Sequence, residues 1–193
     1  MLLTEIITSE VTFNSDDNRF KRPTIGSGAF STVHKDQDPH MVHKRAKGSK
    51  ETSIDGFWIY VNYIIEYKLW DNPYFPRVYN KNIDSSSTAS TTLEKLEPIS
   101  KLRPEEVGSI SQKIFGTDEI TNVGRLAEII EKSIEQKKVE GALDDEYIKA
   151  VYILHRIAKK ENLIVDVSDE NIMIRRTPIG VQLVITDPFS HKI

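Results

Sequence analysis

The stretch that most constrains this chain runs Val165-Asp166-Val167-Ser168-Asp169-Glu170-Asn171-Ile172-Met173-Ile174 and continues, after a turn, into Leu183-Val184-Ile185-Thr186-Asp187-Pro188-Phe189. Two apolar runs, Ile172 to Ile174 and Val181 to Ile185, predict a hairpin. A carboxylate (Asp166), an amide (Asn171) and a second carboxylate (Asp187) then gather at one end of it. Phosphoryl transfer needs such groups in one place: one carboxylate to accept the attacking hydroxyl's proton, and oxygen ligands to hold Mg²⁺ against the phosphates. The plainer reading, an acidic loop from Asp166 to Glu170 capping a turn, does not predict the second Asp beyond an apolar strand.

Two upstream features fit the same chemistry. In Ile25-Gly26-Ser27-Gly28-Ala29-Phe30 two glycines flank a small residue, which lets backbone approach phosphate oxygens. The following residues favour a strand, not the helix of a dinucleotide-binding turn. Taken alone, the loop is better explained as an ordinary glycine hairpin. Downstream, Val42, Lys44 and Ala46 share one face of a strand. A lysine between apolar neighbours points to a cleft and needs an anionic partner, for which a triphosphate serves. The alternative is a solvated lysine, since Lys47 and Lys50 lie close by.

The remaining pattern predicts an α+β protein in two lobes. Residues 1–20 read as an extension, with Glu5 to Phe13 strand-like and Asn14 to Asn18 a turn. Strands follow at Thr24-Ile25, Ser31 to His34 and Met41 to Ala46, then a helix from about Ser53 to Trp70 with Ser53 as its cap, ended by Pro73 and Pro76. Arg77 to Asn80 and Thr91 to Leu96 are further strands, joined by the low-complexity tip Ser85 to Ser90. Helical stripes then run from Pro104 to Gly116, from Val123 to Ile134 with Gly141 beyond, and from the cap Asp144 to Ala158. Residues 1–96 form one expected lobe and 97–193 a mostly helical second one.

In this order the sequence resembles the protein-kinase superfamily, and most nearly the early serine/threonine protein kinases of short-tailed (T-odd) phages, whose loops are similar to Ser168 to Ile174 and Ile185 to Pro188. The resemblance implies ATP and Mg²⁺ as cofactors. It implies that Gly26, Ser27 and Gly28 cover the phosphates, Lys44 holds the α- and β-phosphates, Asp166 is the catalytic base, and Asn171 and Asp187 bind the metal. The backbone of Glu94-Lys95-Leu96 would meet adenine at the hinge. It further implies transfer to serine or threonine hydroxyls of host proteins, and possible self-modification, in the host cytoplasm. Ile164-Val165 replaces the usual His-Arg before the base, Ser168 stands where many protein kinases carry a lysine, and Asp187-Pro188-Phe189 replaces Asp-Phe-Gly. Glu66 is the candidate helix partner for Lys44, with an exposed polar role as its alternative. The chain ends at Ile193, so the family's activation segment and later helices are expected to be missing. That motivates an alternative, a non-catalytic kinase-like module that binds and inhibits a host protein. A small-molecule kinase is a third reading, since antibiotic kinases share the Asp…Asn…Asp core.

Composition narrows the classes further. With 38% hydrophobic and 28% charged residues the chain suits a folded core. The absence of cysteine removes disulfides and thiolate metal sites. A net charge of −3 argues against broad nucleic-acid binding, and no apolar run suits a membrane span. His34, His40 and His43 are expected to scatter over both faces of their strands. His155 reads as a helix-face residue and not a catalytic one, the run Glu131 to Lys138 as a solvated helix face, and Trp58 and Trp70 as core anchors.

Overall fold

The computed structural model describes residues 22–27, 31–46, 56–83 and 88–191. Glu5 to Phe13, the turn at 14–18, Gly28, Lys47, Lys50, Ser53 and Ser85 to Ser87 lie outside them. The first strands are β1 (Thr24–Ser27), β2 (Ser31–Lys35) and β3 (Met41–Ala46), followed by helix α1 (Gly56–Tyr67) and strands β4 (Val78–Ile83) and β5 (Ala89–Glu94). They form a five-stranded sheet in the order β1-β2-β3-β5-β4, with every neighbouring pair antiparallel. Its register pairs Val33 with Lys44 and Lys44 with Thr91. Alternation therefore sets Val33, Val42 and Lys44 on one face. The same register pairs His34 with His43, so these two share the opposite face and do not scatter.

α1 buries Phe57, Trp58, Tyr60, Val61 and Ile64, which is most of its circumference. It ends earlier than the sequence predicts. Lys68 turns left-handed (φ 51°) and Leu69–Asp71 tightens into a 3-10 turn before the prolines. Trp58 is fully in the core, whereas Trp70 is half-buried against its edge.

After the short strand β6 (Glu97–Pro98) come three helices, α2 (Pro104–Phe115), α3 (Val123–Gln136) and α4 (Asp145–Glu161). Each start is chemically marked. Pro104 opens α2 while the Glu106 carboxylate accepts from the Arg103 N–H (3.0 Å), Asn122 caps α3, and Asp144 accepts from the N–H groups of Glu146 (3.0 Å) and Tyr147 (3.1 Å). Gly116 closes α2 with φ 68°, a left-handed exit that glycine adopts without strain. α3 stops at Lys137 (φ 53°), short of Gly141. The stripes Leu126-Ile130-Ile134 and Tyr147-Val151-Leu154 are buried against each other's layer.

The chain then forms β7 (Leu163–Val165), β8 (Ile172–Thr177), β9 (Gly180–Ile185) and β10 (Phe189–His191). β8 and β9 are the expected hairpin, and β6 adds to its edge. β7 pairs with β10 as a separate two-stranded sheet. A sheet with one helix, joined to a helical layer with a hairpin, makes a two-lobed α+β fold, as the sequence pattern predicts. Among the described residues no helix is long and apolar enough to cross a membrane.

Candidate active site

The β7–β10 pairing brings the two carboxylate segments together. The Asp166 N–H donates to the Pro188 carbonyl (2.9 Å), and the Asn171 side-chain amide donates to the Asp166 carbonyl (2.8 Å). Thr186 donates to the Asn171 carbonyl through both its N–H (2.9 Å) and its hydroxyl (3.0 Å). The segments around Asp166, Asn171 and Asp187 are thus knitted through backbone groups, which fixes their spacing before any ligand arrives.

The sheet supplies the cation. Lys44 Nζ lies 3.0 Å from the Asp187 carboxylate, across a sequence separation of 143 residues. Phe57 of α1 sits beneath the ammonium, 3.3 Å from Nζ to the ring centroid. The lysine therefore faces a cleft and not bulk solvent. Glu66 is exposed on α1, so the candidate helix partner takes its alternative, polar surface role. Tyr60, on the buried face of α1, donates to the Ile185 carbonyl (2.7 Å). Burial, and then the Asp187 charge, push the Tyr60 hydroxyl far above its ordinary range, which keeps it a donor.

Between these groups lies a cleft of about 350 Å³. Ile25, Val33, Val42, Leu93, Leu96 and Met173 give it apolar walls, and Lys44, Asn171, Thr186 and Asp187 make its polar end. That mixture suits a flat heteroaromatic ring with an anionic tail. Gly26 also lines it, and a Cβ there would meet only the Val33 side chain at an ordinary 3.7 Å. Among the described residues, packing does not demand that glycine. Ser27 is exposed at the end of β1 and does not line the cleft, and Gly28 lies outside the described residues. Asp166 is half-buried next to the cleft and is joined to it through Asn171.

At the hinge the backbone N–H groups of Glu94 and Lys95 donate to the Arg77 (3.0 Å) and His40 (2.7 Å) carbonyls. Leu96 N–H makes no backbone hydrogen bond among the described residues, and Leu96 lines the cleft. The Glu94 side chain has a different task. It is buried, accepts from the Arg77 N–H (2.8 Å), and pairs with Arg175 of β8, whose Nε lies 2.8 Å from Oε2. Arg175 also donates to the Pro73 (3.1 Å) and Phe75 (3.2 Å) carbonyls.

Arg175 was not visible from the sequence, where a charge on a hairpin reads as surface. Its phase was a usable signal, because Met173 and Arg175 share a strand face. Glu131 is a correction of the same kind. The expected surface residue of α3 accepts a hydrogen bond from the Val167 N–H (3.2 Å), directly after Asp166. His155 is half-buried on the face of α4 that meets α3, its Nδ1 within 2.9 Å of the Ile134 carbonyl.

The donor set suits Mg²⁺, which takes one or two protein carboxylates and completes its shell with phosphates and water. With its amide nitrogen bound to Asp166, Asn171 offers the oxygen, and Asp187 offers a carboxylate. Among the described residues no three His, Cys, Asp or Glu side chains group as an all-protein metal cage.

No protein-family model matches this chain, and no curated protein does. Among solved structures it is similar to the crystal structure of choline kinase LicA from Streptococcus pneumoniae, at 16% identity and a TM-score of 0.35. The similarity covers 86% of this chain and 62% of that one, so the chain spans less than two thirds of that structure's length.

Proposed function

We propose that this chain is an ATP- and Mg²⁺-dependent phosphotransferase that moves the γ-phosphate of ATP to serine or threonine hydroxyls of proteins. The observation that carries the reading is the meeting of Lys44 with Asp187 at 3.0 Å, at the polar end of an apolar-walled cleft that also holds Asn171. The apolar walls take the adenine ring, with the Leu96 N–H at its edge. Gly26 lies over the phosphates, and Lys44 neutralises the α- and β-phosphates. Asn171 and Asp187 would hold Mg²⁺, which supplies positive charge against the phosphate oxygens. Asp166 accepts the proton of the acceptor hydroxyl as its oxygen bonds to the γ-phosphorus and the bond to the β–γ bridging oxygen breaks, leaving ADP. Glu131, by holding the Val167 N–H, positions the base. On the resemblance to the phage kinases, the acceptor is a host protein in the host cytoplasm, and residues 1–96 and 97–193 are the two lobes.

Incubation with labelled ATP and Mg²⁺ tests this. Asp166→Ala should lose roughly 10²–10⁴-fold in transfer, the usual scale for removing a general base. It should keep a nucleotide-dependent rise in melting temperature, and Asp187→Ala should lose that rise. Equal labelling by wild type and Asp166→Ala refutes catalysis by this site. A second reading, a non-catalytic binding module, draws on Ser168 and on the exposed position of Glu66. It predicts the nucleotide-dependent rise with no label transfer by the wild type.

A further inference from the structure

The face of α1 turned away from Lys44 forms one wall of a second groove, of about 570 Å³, whose other wall is α4. Tyr63 and Tyr67 stack along α1 with ring centroids 5.6 Å apart and planes 15° from parallel. Leu69, Ile153 and Ile157 make the floor, so the interior is apolar and aromatic. The rim is cationic: Arg156, Lys159 and Lys160 all border it. Glu161 is the neighbouring carboxylate, and it accepts from the Tyr63 hydroxyl (2.5 Å) and lies 3.9 Å from Lys160. Among the described residues Arg156 and Lys159 make no ion pair, whereas Arg125, Lys132 and Lys149 on the same helical layer all do. The last turn of α4 favours Lys159 and Lys160 through the helix dipole. It does not account for Arg156, for the aromatic wall, or for the 55% exposure of Tyr67. A positive rim on a chain of net charge −3 is a local exception.

We propose that this groove docks an acidic amphipathic peptide segment of a partner protein, with apolar side chains on the floor and carboxylates against Arg156 and Lys159. The volume suits two or three large side chains. The concave shape disfavours a lipid surface, which a protruding apolar face would meet. A nucleic-acid strand would need a longer cationic track than one helical turn supplies. The proposal concerns a surface apart from the nucleotide cleft and stands under either reading of that cleft.

The test uses the full chain and a fluorescein-labelled helical peptide carrying two leucines one turn apart, flanked by glutamates. Fluorescence anisotropy should show binding that weakens with salt. It should be roughly tenfold weaker for the Arg156→Glu/Lys159→Glu variant and for Tyr67→Ala, at unchanged melting temperature. A peptide with lysines in place of glutamates, or alanines in place of leucines, should bind at least as poorly. Equal binding of all three peptides, or of both variants and wild type, overturns the proposal. So does Arg156- and Lys159-dependent binding of phosphatidylserine vesicles or a single-stranded oligonucleotide in place of the peptide. Self-association abolished by the same charge reversal also overturns it, because the occupant is then a second copy.

Discussion

Replacing Arg175 with Met should destabilise the whole fold, not only its hinge. The side chains of Arg175 and Glu94 are 16% and 9% exposed, so the pair is largely out of water. Arg175→Met leaves the Arg77 N–H to donate to the Glu94 carboxylate, and it removes the donors to the Pro73 and Phe75 carbonyls. Breaking a buried pair from one side costs about 3–5 kcal/mol, mostly through the charge left behind. For a chain of this size that corresponds to a fall of roughly 6–20 °C in melting temperature. Arg175→Lys keeps the charge but loses the planar fork, and should fall between wild type and Met. Glu94→Gln combined with Arg175→Met should be milder than the sum of the single changes, because the stranded charge is gone. Urea denaturation of wild type, Arg175→Met, Arg175→Lys, Glu94→Gln and the double variant measures each difference at constant m-value. A loss below about 1 kcal/mol for Arg175→Met, or strict additivity in the double variant, would refute the reasoning, since either means the pair is effectively solvated.

Two further outcomes follow from the geometry. A Cβ on Gly56 would lie 2.5 Å from the Phe189 carbonyl oxygen and 2.8 Å from its Cβ, so Gly56→Ala must push α1 and β10 apart. It should cost about 1–3 kcal/mol and weaken nucleotide binding, read by calorimetric melting with and without Mg²⁺-ATP. Asp144 is the third test: burial raises its pKa, but the Tyr147 N–H, the Tyr74 hydroxyl and Lys113 outweigh that and hold it below its ordinary 3.8. A depressed carboxylate gives stability that is complete above its unfolded value and is lost as pH falls from about 4 through the lower folded value. Asp144→Ala should therefore cost about 0.5–2 kcal/mol at neutral pH, with the gap to wild type closing on acidification; a gap independent of pH refutes that origin.

The parts of this fold that could be read from sequence are those with a local physical signature. β3 matches its expected span because Val42, Lys44 and Ala46 alternate cleanly, and α2 and α4 begin where Pro104 and Asp144 say they should. The local pattern offered Lys44 only a triphosphate as its anion, and its convergence with Asp187 was expected from the resemblance to the protein kinases, not from a local rule. What escaped lacks such signatures. Leu163–Val165 and Phe189–His191 are too short for any period to show, so their pairing, which aligns Asp166 with Pro188, was invisible. Glu94 and Arg175 meet across 81 residues, and no local rule links them. His34 and His43 share a face because register between strands, not alternation within one, decides who faces whom. Lys68 ends α1 through a left-handed turn (φ 51°), and a lysine carries no sequence signal for that conformation.

Helix α1 grips the strand-to-strand passage at two points: Tyr60 holds the carbonyl of Ile185 and Gly56 abuts Phe189, two residues to either side of Asp187. The helix consequently works as a lever with its load at the carboxylate. A rotation of the helix would therefore act first on the residues either side of Asp187 and not on the cleft walls. Were a ligand on its outer face to change the affinity at Asp187 in this way, reciprocity would require binding at Asp187 to change that ligand's affinity by the same factor.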